Sequence, residues 1–296
     1  MALAALNGDE QCIIFIQLCN VLDPGIAVAF GSASGELRAL TPALRQQLKA
    51  DYEVATALCR QLGMRSCKEL REAKRVSSYN NDLSAADLAT LGTLGSVLPA
   101  LEELILIETS ASPDGVRRLA ERLGAGALPA VTYLYLTYMH VGDAGASAFA
   151  AALGQGALPR LKDLTLNNAA IGDAGLVALA PALRRRPALE SLSLNVNPLG
   201  DEGLAALVAP PPPASGALSP PKGGLTKLKA LNLSYTQITD AGCGALAAAL
   251  DGGALPTLEG LRLHGSLASE AVAAALRARF PEPDTDDYNS ENSDEE

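Results

Sequence analysis

Leucines recur along this chain in a short alternation, apolar–x–apolar. Each alternation is followed by a polar turn and then by an apolar run at spacings of three and four. LPALEELILIETSASPDG from Leu98, LPAVTYLYLTYMHVGDAG from Leu128, LPRLKDLTLNNAAIGDAG from Leu158, ALESLSLNVNPLGDEG from Ala188, KLKALNLSYTQITDAG from Lys227 and LPTLEGLRLHGSLASEA from Leu255 align as LxxLxLxxxx[IL]xDxG. Their first apolar positions are Leu101, Val131, Leu161, Leu189, Leu228 and Leu258, so neighbouring units lie 28 to 30 residues apart, apart from one spacing of 39 that holds an insertion. The LxL centre, as in Leu164 and Leu166, has the period of a short half-buried strand. In the step that follows, such as Gly172-Asp173-Ala174-Gly175, Asp suits a helix N-terminus and small residues permit close packing. Stretches such as ASAFAAALG and LVALAPALR continue as helices with one apolar face. Each unit therefore reads strand, turn, helix.

One such unit cannot bury its own strand, but stacked units form a parallel curved sheet inside, helices outside and a continuous leucine core between. The fold class expected is α/β, a leucine-rich-repeat solenoid of horseshoe shape with a short all-helical N-terminal segment. The repeat length and the LGDxG step resemble the ribonuclease-inhibitor-like subfamily of leucine-rich repeats, over about residues 70 to 280. That subfamily includes inhibitors, GTPase activators and ubiquitin-ligase receptors, so the resemblance implies the fold and a binding role rather than one activity. Where that family often places Asn or Cys, this chain has Thr109, Met139, Ala169, Asn197, Thr236 and Ser266. Its loop ladder is expected to be incomplete, or built from hydroxyls and water. A weaker unit precedes the six, because LSAADLATL from Leu83 matches the start of the repeat helix and places a strand near Val76.

The domain organisation expected is a helical segment over 1–75, repeats over 76–280 with a Pro-rich insertion at about 208–224, and a disordered acidic tail over 281–296. In the insertion, APPPPASGALSPPKGG cannot continue a helix. Pro210 to Pro213 are either a tolerated surface loop or a polyproline ligand. The tail, PEPDTDDYNSENSDEE, places Ser293 before three acidic residues, a pattern that acid-directed kinases modify.

Residues 1–75 read as two or three short helices around Asp23-Pro24 and a longer helix after Pro42. Ile14-Phe15-Ile16-Gln17-Leu18, then Leu22-Asp23-Pro24 and a small-apolar helix leading to Leu37-Arg38, resemble an F-box. The resemblance implies a partner, the small adaptor subunit of cullin-type ubiquitin ligases, with Ile14, Phe15, Leu18, Leu22 and Pro24 as the adaptor-binding residues. The other reading is that the segment caps the first repeat, whose end would otherwise expose leucines.

Charge narrows the partners. Thirty-three acidic against 23 basic residues give a net charge of -10, which opposes nucleic acid and anionic membrane as partners. MALAALNGDE has no basic leader, and the apolar run Cys12 to Leu22 is too short to span a bilayer, so a soluble cytoplasmic protein, also able to enter the nucleus, is expected. Five cysteines without CxxC pairing argue against a disulfide framework or zinc site.

Catalytic chemistry is not indicated: GxxxxGK[ST], GxSxG and HExxH are absent, and His140 and His264 stand in distant repeats, where exposed or edge positions are expected. Asp143, Asp173, Asp201 and Asp240 recur at one phase, so they line a rim as helix caps, with calcium ligation the alternative. No enzyme, metal or cofactor is therefore expected. With the LxL leucines inward, the concave face carries Glu103, Ile105, Ile107, Tyr133, Tyr135, Asp163, Thr165, Asn167, Asn195, Asn232 and Arg262, with Tyr138 just beyond. Tyrosines and isoleucines gathered at one end suit a protein-binding site. The alternative is that the N-terminal helices cover them as ordinary core. The function expected is a monomeric, noncatalytic protein-interaction scaffold that binds a protein on its concave face, with substrate receptor of a cullin-type ubiquitin ligase as a sharper reading within it. The alternative is a small-GTPase regulator, because Ran GTPase-activating proteins resemble this chain in repeat class and acidic tail.

Overall fold

The computed structural model describes residues 7–79, 83–107, 113–209 and 224–280. Pro210 to Pro213 with nearly all of the insertion, Thr109, and the acidic tail with Ser293 lie outside the described residues.

Five helices come first: α1 (Gly8–Leu18), α2 (Gly25–Gly31), α3 (Gly35–Leu40), the long α4 (Pro42–Gln61) and α5 (Cys67–Glu72). Local chemistry sets their starts. Asn7 and Glu10 form a capping box on α1, each side chain accepting the other's backbone N–H at 3.0 and 2.9 Å. Ser34 and Ser66 cap α3 and α5, and Pro42 occupies the first turn of α4.

Strand–helix units follow: β1 (Arg75–Tyr79) with α6 (Ala85–Leu94), β2 (Glu103–Ile107) with α7 (Pro113–Arg122), β3 (Tyr133–Thr137) with α8 (Gly142–Gly154) and β4 (Asp163–Thr165) with α9 (Asp173–Arg184). The last three are β5 (Ser191–Ser193) with α10 (Asp201–Val208), β6 (Ala230–Asn232) with α11 (Asp240–Asp251) and β7 (Gly260–Arg262) with α12 (Glu270–Arg277). The strands form one parallel sheet in chain order. Val76, Leu104, Leu134, Leu164, Leu192, Leu231 and Leu261 stand side by side across it, all buried. The strand expected near Val76 is therefore present, and the fold is a leucine-rich-repeat solenoid. Its main core runs without a break from Leu22, Leu58 and Leu70 of the N-terminal region to Leu276 of α12. A separate small cluster, Phe15, Ala27 and Leu48, joins α1, α2 and α4.

The repeated aspartates act across repeats. Asp173 stands in the first turn of α9, but its Oδ1 accepts from the Gly200 and Gly203 N–H groups of the next unit, at 2.7 and 2.8 Å. Asp143 does the same for Gly172 and Gly175 at 2.8 and 3.0 Å, Asp201 for Thr239 N–H at 2.8 Å, and Asp240 for Ser269 N–H at 2.6 Å. Each carboxylate thus caps its successor's helix rather than its own. The second glycine of the step is what admits it: a Cβ at Gly203 would stand 2.8 Å from Asp173 Oδ1. The carboxylates face backbone donors, so calcium ligation is not their arrangement.

The loop ladder has one full rung. Asn197 is buried, accepts from the Ala169 and Ile171 N–H groups at 3.1 and 3.0 Å, and donates to the carbonyls of Leu166 and Leu194 at 2.7 and 2.9 Å. Thr236 and Ser266 donate their hydroxyls to the carbonyls of Leu233 and Leu263, while Met139 and Ala169 are simply buried apolar contacts.

Candidate functional site

Strand alternation sends the leucines into the core and their neighbours to the concave face. The register sorts those neighbours into rows. Arg75, Glu103, Tyr133, Asp163, Ser191, Ala230 and Gly260 form the first; Ser77, Ile105, Tyr135, Thr165, Ser193, Asn232 and Arg262 form the second. Tyr79, Ile107 and Thr137 begin a third, which Asn167 and Asn195 continue by repeat phase.

The face has two contrasting halves. At the β1–β3 end, Tyr79, Ile105, Ile107, Tyr133 and Tyr135 surround a hollow of about 380 Å³ with Arg75 and Glu103 at its side. Tyr133 and Tyr135 stack with ring centres 6.4 Å apart and planes 6° from parallel. Tyr133, Tyr79 and Tyr138 are 39%, 54% and 53% exposed, so the described N-terminal helices do not cover this end, and the reading of these residues as ordinary core is corrected. Arg75 pairs with Glu103 at 2.6 Å, which engages that carboxylate.

The second half is a hollow of about 470 Å³ reaching from Tyr135 to Arg262, lined by the polar side chains of Asp163, Thr165, Asn167 and Asn232 between the leucines of β5, β6 and β7. Burial pushes the Asp163 carboxyl above the ordinary carboxylate range, against the opposing hydrogen bonds from Ser191 and Thr165. Thr165 lies on this face but is itself buried by its neighbours. Asn167 Oδ1 accepts from the Ser193 hydroxyl at 2.7 Å and the Asn195 N–H at 3.1 Å, and Asn232 Oδ1 from the Ser234 N–H at 3.0 Å. These asparagines brace the strand ends as much as they offer contacts.

Tyr138 sits past β3 with φ +56°. Asn168, Val196 and Tyr235 hold the same repeat phase at φ +47°, +56° and +55°. Tyr79 belongs to this aromatic surface and is missed by the sequence reading, although it pairs in register with Ile107; Tyr235, 62% exposed, holds Tyr138's phase three units further on, apart from that surface.

The adaptor-binding residues fare differently. Phe15 is fully buried against Ala27 and Leu48, and Leu22 is buried in the main core, so these two are packing residues and not surface contacts. Ile14, Leu18 and Pro24 are half-buried. The apolar side chains that do reach solvent are Ile13, Ile16, Ile26 and Val28, at 54%, 55%, 62% and 45% exposure. His140 and His264 are exposed, and no three His, Cys, Asp or Glu side chains gather as a metal site among the described residues. An apolar hollow of about 340 Å³ lies at the C-terminal ends of α10 and α11, beside Arg184.

Residues 159–180, 187–208 and 224–247 match the family described as Leucine Rich repeat. Among solved structures, the chain is similar to an internalin C2 from Listeria monocytogenes str. 4b F2365, at 19% identity and a TM-score of 0.46, over 77% of this chain and 80% of that one. No curated protein matches the chain.

Proposed function

We propose that this chain is a noncatalytic, monomeric, cytoplasmic interaction scaffold that holds a protein partner against the concave face of its repeats. The observation that carries the reading is the uncovered tyrosine–isoleucine end, where Tyr79 and Tyr133 stay exposed beside Ile105 and Ile107. Aromatic area with a polar tip on a rigid sheet supplies binding energy at little ordering cost. The G-D-x-G step of three units, and a helix in every described unit, support placing the repeats in the ribonuclease-inhibitor-like class.

The test is capture from lysate of the source cells with the full chain and with the Tyr133→Ala/Tyr135→Ala variant, both checked for equal thermal midpoints. A partner retained by the first and lost by the second is the expected result. Identical captures would end the reading.

The ligase-receptor role is a second proposal, favoured by the exposed Ile13, Ile16, Ile26 and Val28 on α1 and α2. It moves the adaptor contact from Phe15 and Leu22 to that outer surface. Copurification of a recombinant cullin adaptor, abolished by Ile13→Asp/Ile16→Asp, is expected; no copurification would leave the segment as packing only. The small-GTPase alternative leans on the acidic residues 281–296, outside the described residues, and gains no support from the concave face.

A further inference from the structure

The carboxylates along the sheet are not treated alike. Glu103 is met by Arg75 at 2.6 Å, and Glu190 lies between Lys162 and Lys229 at 3.5 and 3.3 Å. Asp163, on the same row as Glu103, has no ion pair among the described residues; only hydroxyls serve it, Thr165 Oγ1 at 3.4 Å and Ser191. It lines the hollow that reaches from Tyr135 to Arg262, in register between Tyr133 on β3 and Ser191 on β5. A half-buried carboxylate without a cation costs the fold some stability, and the desolvation raises its pKa. Nothing in the packing of β4 requires it: Ser or Ala fills the equivalent place on β5 and β6.

The hollow has a second uncompensated charge. Arg262 on β7 lines its far side and makes no ion pair among the described residues. Three strand spacings of about 4.8 Å separate β4 from β7, and Arg262 stands two residues further along its strand than Asp163, so the two lie roughly 16 Å apart. An anion and a cation thus face the same groove from opposite ends, with a tyrosine–isoleucine surface beyond the anion. An extended chain rises about 3.3 Å per residue, so four to five residues cover that distance.

We infer that the partner contributes an extended segment laid across the strands, with a lysine or arginine side chain against Asp163 beside Tyr133 and an acidic side chain about four positions away against Arg262. The inference rests on the concave-face reading above and specifies its partner. The partner's cation neutralises Asp163 and meets the face of a neighbouring tyrosine; the polarity of the two charges sets the direction in which the segment lies. An apolar side chain next to the basic one reaches Ile105 and Tyr135.

A displayed library of random 12-residue peptides tests this, panned in parallel on the full chain and on its Asp163→Asn, Arg262→Ala and Tyr133→Ala/Tyr135→Ala variants. The expected winners on the full chain carry a basic residue three to five positions from an acidic one. A synthetic winner binds Asp163→Asn about tenfold more weakly, and replacing its basic residue by Gln weakens binding to the full chain but not further to Asp163→Asn. Winners that need the tyrosines yet lack a basic residue, or that bind Asp163→Asn undiminished, overturn the charge assignment and leave concave-face binding standing. Loss of all selectivity between the full chain and every variant removes both. Equal melting of the full chain and Asp163→Asn separates a lost contact from a lost fold.

Discussion

Single carboxylates do opposite work in this molecule. Asp173 satisfies two helix-start N–H groups of the following unit, so Asp173→Ala leaves both without their acceptor. The expected loss is about 2 kcal/mol in urea unfolding, with Asp173→Asn recovering roughly half, because its amide oxygen accepts both bonds but without the charge. Asp163 does the reverse. Its carboxyl titrates higher in the folded chain than in the unfolded one, because burial disfavours its charge. Between the ordinary carboxylate pKa and that raised value, the unfolded chain has released a proton that the folded chain keeps. Stability therefore falls as pH rises through that window and stays lower above it. Asp163→Asn removes this slope, and its melting midpoint at pH 7 is expected to equal the parent's or exceed it by about 2 °C. A midpoint that drops by more than about 5 °C would show that Asp163 supports the fold.

At the level of elements, the N-terminal region divides in two. Leu58, Cys59 and Leu62 near the end of α4, with Cys67 and Leu70 of α5, belong to the main core and close the first repeat, whereas Phe15 and Ala27 tie α1 and α2 to Leu48 of α4 in a cluster of their own. Phe15→Ala should cost about 3 kcal/mol locally. Amides of α1 to α3 then exchange faster, on the order of a hundredfold, while those of β2 to β6 keep their protection; equal acceleration everywhere would show one cooperative unit instead. The repeats were legible because a two-residue period leaves a strand only two faces, and the LxL leucines name the inner one. In α1 the apolar run Cys12 to Ile16 wraps more than a full helical turn, so periodicity could not tell Phe15, which is buried, from Ile13 and Ile16, which are exposed. The aspartate caps were legible as caps but not as shared ones, since Asp173 and Gly203 are 30 residues apart and meet only once the units stack. The charge asymmetry around Asp163 was equally hidden: it depends on Arg75 reaching Glu103 and on no described cation reaching the carboxylate two strands away.

Across the whole molecule, the net charge of -10 favours encounter with partner segments whose basic residues outnumber their acidic ones. Among winning peptides, those with a net positive charge are expected to lose association rate several-fold between about 50 and 500 mM salt, while dissociation changes little; a salt-independent association rate for them would count against long-range steering. Contacts otherwise pass from each unit to the next, as in other stacked-repeat chains. The aspartate caps give that stacking a grammar. Because each unit closes the one after it, excising a whole period from Ala144 to Asp173 would leave Asp143 opposite Gly200 and Gly203, the same amides that Asp173 serves now. Duplicating a period would likewise supply both halves of a new junction. Asp114, at the upstream end, is instead held by Arg117 and Arg118, and at the downstream end Glu270 takes the aspartate's place. The molecule is thus written so that its length can change by whole units between Asp143 and Asp240, the stretch over which the shared caps run.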